Sequence, residues 1–400
     1  MKKILALVLT LVMALSCASM ASAAYSGEIE VWVADATVEF TKAQLEAFKA
    51  TSDEYANLTF KVEPVGEGDA ASNMITDVEG GADVYAFAQD QLARLVAAGA
   101  LIDVAPENAE IVTATNDAGS VSAVKMGDVM YAYPMTSDNG YFMYYDKSVV
   151  TDPTNLEAVL ADCEKAGKNF YMEINSGWYQ TAFFFGAGCT LTYGVDNAGV
   201  INSMDCNYAS ENGVKALKAM IKLAQSPAHV NGSSASNATN IGAIVDGTWD
   251  AVAVKGILGE NYAATKLPTI DGFQLGGFGG FKMLGVKPQT DENKLAACDA
   301  LALYLSSGEV QQARYDAVKW GPSNLTAQAS DAVKADEALS ALAAQLNFCI
   351  GQGQYPGEYW SLATALGDDI LADKLDNATD EQLMETLVNF QATAGSYVTK

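Results

Sequence analysis

The sequence contains little of the chemistry that most enzymes use. Among 400 residues there is one histidine, His229, so a site with two histidine metal ligands is excluded and a Ser-His-Asp triad has no other candidate base. The patterns GxSxG, HExxH and the Walker lysine motif do not occur. We therefore expect no catalysis, no cofactor and no metal site. A carbohydrate-active enzyme stays open as the alternative, because a glycosidase needs only two carboxylates.

Positive charge and paired cysteines are also scarce. The chain has 23 Lys and Arg against 49 Asp and Glu, a net charge of −26, which argues against nucleic acid and anionic membrane surfaces as partners. No CxxC pair occurs among the six cysteines, so a thiolate metal site is not indicated. The five cysteines after Cys17 are expected to be small buried residues, with one disulfide among residues 163–206 as the alternative.

Apolar runs long enough to span a bilayer, about 18 residues, are absent after the first two dozen positions. Residues 1–23 have the organisation of a signal peptide, with Lys2 and Lys3, an apolar stretch at 4–15, and a small-x-small signal at 21–23. We expect an exported protein, either extracellular, at the cell surface, or periplasmic. Cys17 lies in a sequence close to a lipoprotein box, so lipid anchoring and free secretion both stay open.

Alternating apolar and polar residues predict an α/β fold. Strands are predicted at 29–33, 58–65 and 83–87, with a helix after a capping box at 41–44 and another at 89–98. This βαβα order predicts a mostly parallel sheet flanked by helices. At 400 residues the chain is too long for one core, so two lobes are expected.

Two stretches carry the most specific signals. Residues 241–245 predict a buried strand, and the Asp246-Gly247 turn after it begins a helix near Trp249, where a βα loop presents side chains to ligands. Residues 129–147 predict two aromatic-rich strands separated by a turn at the breaker cluster 136–140.

The order of these motifs resembles the maltose-binding-protein-like group of extracellular solute-binding proteins, which feed ABC importers. The resemblance rests on the DGTW turn at 246–249 followed by KLPTIDG at 266–272, on the strand and helix at 82–104, and on the Tyr-Pro segment at 133–134. It implies a two-lobed periplasmic-binding-protein-like fold with a hinge and a ligand cleft between the lobes. The implied lobes are residues 24–136 plus 284–320, and residues 137–283 plus 321–400.

The resemblance also implies aromatic ligand contacts. Sugar recognition needs flat apolar faces for the pyranose ring and fixed polar groups for its hydroxyls. Trp249 matches the family's platform tryptophan, Tyr359 and Trp360 fall at a stacking Phe-Trp pair, and Trp178 and Tyr179 fall at a Pro-Tyr pair that would stack on the ligand. Packing inside the protein is the alternative role for each ring. The same alternative holds for the tryptophan at position 320, at the third lobe crossing, which could pack the hinge.

Four further residues are implied as ligand contacts. Phe87 stands in place of a strand-end tryptophan, and Asp90 is kept, but Gln91 replaces an arginine that bonds sugar hydroxyls, which weakens the case for maltose itself. Asp138 matches a glutamate of the hinge segment, with a turn-forming role as the alternative. Asp35 matches a sugar-bonding aspartate, with helix capping as the alternative.

By this resemblance, the expected function is capture of a carbohydrate by hinge closure, for uptake through an ABC permease. The first expectation for the carbohydrate is maltose or a malto-oligosaccharide. The protein would act as a monomer and meet the membrane only through the permease or a lipid anchor. The alternatives are another oligosaccharide, a non-sugar solute such as a polyol, peptide or ion, or an adhesion or sensor protein of the same fold.

Overall fold

The computed structural model describes residues 25–399, so the predicted signal peptide and Cys17 lie outside the described residues. None of the helices in this part of the chain combines the length and apolarity needed to cross a bilayer. The strands are β1 Glu28–Val33, β2 Thr59–Pro64, β3 Val84–Ala88, β4 Lys125–Met126, β5 Val129–Met130, β6 Tyr133–Gly140, β7 Phe142–Asp146, β8 Asn169–Tyr171, β9 Leu191–Val195, β10 Ile201–Cys206, β11 His229–Val230, β12 Ile241–Asp246, β13 Tyr262–Thr265, β14 Thr269–Ile270, β15 Phe273–Gln274, β16 Gly277–Val286 and β17 Cys349–Gly351.

Helices fill most of the remaining chain and dominate after residue 291. They are α1 Val38–Lys49, α2 Ala70–Thr76, α3 Leu92–Ala97, α4 Pro106–Thr115, α5 Ala118–Ala123, α6 Leu156–Ala166, α7 Thr181–Gly186, α8 Glu211–Ala224, α9 Ala251–Leu258, α10 Glu292–Leu305, α11 Gly308–Val318, α12 Leu325–Gln328, α13 Asp331–Lys334, α14 Glu337–Leu346, α15 Gly357–Leu371 and α16 Asp380–Gly395. Short 3₁₀ turns precede α1, α3 and α9.

The first large sheet has the order β2-β1-β3-β16, with β6 and β17 also paired to β16. Strands β1, β2 and β3 are parallel, with Val31 opposite both Val62 and Val84, whereas β16 runs antiparallel to β3. The predicted βαβα order is therefore confirmed for this half of the chain. Its apolar side chains form one core with α1, α3 and α10, in which Val31 and Leu301 are fully buried.

The second large sheet has the order β11-β8-β12-β7-β13. Strands β11, β8 and β12 are parallel, and β7 runs antiparallel between β12 and β13. A separate core lies on one face, where Phe170 and Leu217 are fully buried, and a smaller cluster around Ile244 covers the other face. Two cores on two sheets agree with the expectation that the chain is too long for one.

Strands β6 and β16 connect the two cores. Tyr133 and Met283 lie in the first core, whereas Tyr141 and Phe278, at or next to the opposite ends of the same strands, lie in the second. The loop after α11 runs beside them, since the Ser137 amide donates to the Gly321 carbonyl at 3.0 Å. Three segments of the chain therefore pass side by side between the cores.

The predicted turn at 136–140 is wrong, because these residues form the second half of β6. Pairing with β16 and the loop after α11 holds them extended: the buried Asp138 carboxylate accepts hydrogen bonds from the Thr248 hydroxyl and the Gly321 amide. A buried partner on each side overrides the local turn preference of Ser, Asp, Asn and Gly.

The predicted capping box at 41–44 is also wrong. Helix α1 begins at Val38 with Thr37 at the N-cap position, so Thr41 lies one turn inside the helix and is buried. The 3₁₀ turn Asp35–Thr37 leads directly into the helix and starts it earlier than the capping residues suggest. All five described cysteines are free thiols, and Cys163, Cys189 and Cys298 are buried.

Candidate functional site

A cavity of about 460 Å³ lies between the two sheets, beside the crossing segments. The first sheet contributes residues one to three positions after parallel strands: Ala34 follows β1, Glu67 follows β2, and Asp90 follows β3. The second sheet contributes Trp249 after β12 in the same way. The carboxyl ends of parallel strands in the two sheets thus face one another, which is where open α/β sheets bind ligands.

Four of the five tryptophans line this cavity: Trp178, Trp249, Trp320 and Trp360. Trp249 lies in a 3₁₀ turn, Thr248–Asp250, at the start of α9, close to where the sequence predicts it. Its ring centroid is 5.7 Å from that of Trp178, with the planes inclined by 48°. The sequence left a hinge-packing role open for Trp320, and the structure places it at the cavity. The result is a strongly aromatic wall of the kind that covers ring faces of a ligand.

Gln352, which sequence reasoning missed, joins several cavity residues. Its amide oxygen accepts from Asn139 Nδ2 at 3.2 Å and from Trp178 Nε1 at 3.3 Å, and its amide nitrogen donates to Asp90 Oδ1 at 2.9 Å. Its backbone is held by the Gly279 carbonyl at 2.8 Å. The loop 351–357 looks like a plain turn in the sequence, and no local pattern shows that its glutamine reaches three distant segments.

Asp90 lies at the cavity as predicted and is buried. Burial raises the pKa of its carboxyl group from 3.8 to about 7, and the nearby Arg94 guanidinium opposes this only in part. Gln91 also reaches the cavity, but both ends of its amide are engaged by backbone, since Oε1 accepts from the Ala71 amide and Nε2 donates to the Gly68 carbonyl. These backbone bonds fix the orientation of the Gln91 amide in the cavity wall.

Lys282 is a second cavity residue that the sequence analysis missed. It projects from β16, and its side chain is only 7% exposed. Its ammonium lies 3.8 Å from the Trp320 ring centroid, 5.0 Å from that of Trp249, and 3.8 Å from Glu67 Oε2. A lysine in an apolar strand has no sequence signature of a ligand site, which explains the omission.

Five predicted site residues reach the cavity and four do not. Asp90, Trp178, Tyr179, Trp249 and Trp360 line it. Phe87 and Tyr359 lie in the two cores, and each is next in sequence to a lining residue, Ala88 or Trp360. Asp138 is buried in β6 against Thr248. Asp35 is exposed, and only its neighbours Ala34 and Ala36 line the cavity.

The chemistry of the described residues is that of binding. Within residues 25–399 no group of three or more His, Cys, Asp or Glu side chains is arranged to hold a metal ion. His229 lies on β11, away from the cavity lining, with Nε2 2.9 Å from the Met172 carbonyl, and burial lowers its pKa. Aromatic faces with a few buried polar groups, set between two sheets beside three crossing segments, define a two-lobed small-molecule binding protein.

The chain belongs to the family described as bacterial extracellular solute-binding proteins, whose model matches residues 43–341. No curated protein matches it. A solved structure with acarbose is 26% identical, with a TM-score of 0.80 over 93% of this chain and 99% of that one. The maltodextrin-binding protein MalE1 from L. casei BL23 is 24% identical, with a TM-score of 0.74 over 93% and 99%.

A third structure, the maltose-maltodextrin binding protein of Alicyclobacillus acidocaldarius, is 19% identical, with a TM-score of 0.72 over 91% of this chain and 99% of that one. These findings confirm the resemblance seen in the sequence and the two-lobed periplasmic-binding-protein-like α/β fold. The family and these structural relatives are non-enzymatic binding proteins, so the expectation that the chain is not an enzyme is confirmed as well.

Proposed function

We propose that the protein captures a carbohydrate, in particular a malto-oligosaccharide, in the cleft between its lobes. The observation that carries this proposal is the convergence of four tryptophan rings with buried polar groups on one cavity. Ring faces cover the C–H side of a pyranose, and carboxylate, amide and ammonium groups bond its hydroxyls. Structures described with acarbose, and as maltodextrin-binding proteins, share the fold and support the same ligand class.

Within this proposal the ligand contacts are Trp178, Tyr179, Trp249, Trp360 and Asp90. Each of the five lines the cavity. The two rings at 178 and 249 meet at an angle, so together they form a bent surface that suits consecutive sugar units better than one flat ring. Gln91 is neutral and bonds backbone through both its amide oxygen and its amide nitrogen, so it offers a sugar fewer and weaker hydrogen bonds than the arginine of the resemblance.

We propose that binding closes a hinge. The lobes are 24–136 plus 284–320 and 137–283 plus 321–400, and β6, β16 and the loop after α11 form the crossings. Contacts between the lobes support a closed arrangement, since Gly199 of the β9–β10 loop lies so near α3 that an added Cβ would be 2.2 Å from the Ala93 carbonyl oxygen. A ligand held by both lobes favours this state over the open one.

In the cell, the proposed partner is an ABC permease that receives the loaded, closed protein. The family description places such proteins outside the cytoplasm, and we propose an exported monomer, extracellular or periplasmic, secreted freely or anchored at Cys17. The alternative ligands are a different oligosaccharide or a non-sugar solute.

The test is a titration of intrinsic tryptophan fluorescence, because four of the five tryptophans line the cavity. Maltose, maltotriose, longer maltodextrins and a panel of unrelated oligosaccharides and polyols are added, and the sugars are analysed for breakdown. A saturable change with intact maltodextrin supports the proposal. If only another solute gives a saturable change, that solute replaces malto-oligosaccharide as the proposed ligand. If no sugar gives a response, carbohydrate capture is refuted.

A further inference from the structure

One corner of the cavity differs from the rest because it contains buried polar atoms without a hydrogen-bond partner. We call Glu67, Lys282 and Trp320 the polar corner. Glu67 Oε2 is 3.8 Å from Lys282 Nζ, which is longer than a direct hydrogen bond. Within residues 25–399 the Lys282 ammonium makes no hydrogen bond, and Glu67 Oε1 and Trp320 Nε1 are buried without one. The corner therefore has both donor and acceptor capacity to spare.

Several other polar groups of the cavity already have hydrogen-bond partners within the protein. Gln352 bonds Asp90, Asn139 and Trp178 at once, and the Gln91 amide is held by backbone. Among the residues that line the cavity, the buried side-chain atoms without a hydrogen bond within residues 25–399 are those of Glu67 and Trp320. Buried donors and acceptors without partners oppose folding, so a protein that keeps Glu67 Oε1 and Trp320 Nε1 in this state beside a lysine in a ligand cavity indicates that a ligand completes the corner.

The tryptophan rings hold the Lys282 ammonium through their faces, which leaves its N–H groups available to a ligand. Lys282 Nζ lies over the Trp320 ring at 3.8 Å and near the Trp249 ring at 5.0 Å, distances at which the ring quadrupole attracts a cation. The β16 backbone, paired on both sides with β3 and β6, fixes the base of this side chain. The corner is consequently preorganised before any ligand arrives.

The combination of groups selects the chemistry of the ligand. A carboxylate on the ligand would face the Glu67 carboxylate, and an ammonium would face Lys282. A hydroxyl both donates and accepts, so it fits next to either group. We propose that the polar corner is a subsite for two adjacent hydroxyls of a neutral sugar unit, with Glu67 accepting from one and Lys282 and Trp320 donating to the other. This inference rests on the proposed carbohydrate function.

The first experiment uses isosteric substitutions and titration calorimetry with maltotriose. Glu67→Gln and Lys282→Met keep the side-chain shapes but remove the charges, and each is expected to weaken binding about tenfold, as expected for a lost charge-assisted hydrogen bond. The matched control is Lys266→Met, because Lys266 lies over the Phe348 ring at 5.1 Å but outside the cavity. The Lys266→Met control should bind maltotriose with the same affinity as the unmodified protein.

The second experiment tests the hydroxyls themselves and does not depend on whether a variant folds. Maltotriose analogues that each lack one hydroxyl are titrated into the unmodified protein, and two analogues lacking neighbouring hydroxyls should each lose about tenfold in affinity. The Glu67→Gln variant should bind maltotriose and the analogue that lacks the hydroxyl donating to Glu67 with equal affinity.

The outcomes separate the two proposals. If folded Glu67→Gln and Lys282→Met bind maltotriose as well as the unmodified protein, the subsite is refuted while carbohydrate binding stands. An acidic trisaccharide that binds more tightly than maltotriose also refutes the neutral diol subsite. If the unmodified protein binds no sugar in the fluorescence panel, the proposed function and this inference both fail.

Discussion

Replacing Asp90 with asparagine should make the protein more stable at neutral pH than the unmodified protein. The Asp90 carboxyl is buried at the cavity, and burial raises its pKa from 3.8 to about 7. Asparagine is similar in shape, stays neutral, and keeps an oxygen that accepts the 2.9 Å hydrogen bond from Gln352. The substitution therefore removes the cost of a buried charge while leaving the contact in place.

The sign and size follow from proton linkage. Between pH 4 and 7 the folded protein keeps the Asp90 proton while the unfolded chain has lost it, so the free energy of unfolding falls as the pH rises. The slope is about 1.4 kcal/mol per pH unit, or about 4 kcal/mol across the window from 3.8 to about 7. The Asp90→Asn variant has no such loss of stability. The difference between its free energy of unfolding and that of the unmodified protein therefore grows across the window and is constant above pH 7.

Urea unfolding of both proteins at pH 4, 5, 6, 7 and 8 measures the difference directly. Asp103→Asn is the control for the substitution itself, because Asp103 is exposed and lies outside the cavity. A difference between Asp90→Asn and the unmodified protein that stays constant from pH 4 to 8 would refute the raised pKa and with it the buried position of this carboxyl.

Three further predictions concern ligand binding and closure. Trp249→Ala should weaken sugar binding by more than about 1 kcal/mol, measured by calorimetry, and an unchanged affinity would exclude a stacking role. Gln352→Leu should weaken binding about tenfold because the Trp178 indole loses its acceptor, and equal affinity would contradict the positioning role of this amide. Gly199→Val should keep the lobes apart, because Gly199 has φ +79° and no room for a Cβ beside Ala93. Small-angle scattering in the presence of ligand should then give a larger radius of gyration for the variant than for the unmodified protein. An unchanged radius would contradict the contact between Gly199 and Ala93.

Two of the site residues that sequence reasoning found, Trp249 and Asp90, lie beside a strong local signal. Trp249 follows a run of apolar residues and a Gly turn, and Asp90 follows a buried strand, so both fall at the carboxyl ends of strands. Phe87 and Tyr359 were assigned one position away from a lining residue. Neighbouring residues of a strand or helix point in different directions, so such an offset moves a side chain from the cavity into the core.

By itself, the sequence determined the α/β class, the early strands, the family and the aromatic character of the site, because these depend on local periodicity and on short motifs. Only the tertiary structure decided that 136–140 is a strand and that Lys282, Glu67, Trp320 and Gln352 share one cavity. Glu67 and Gln352 are nearly 300 positions apart, and local patterns carry no information about such distant pairs. Pairing of β6 with β16 and the buried bonds of Asp138 outweigh the turn preference there, since long-range contacts override weak local propensities.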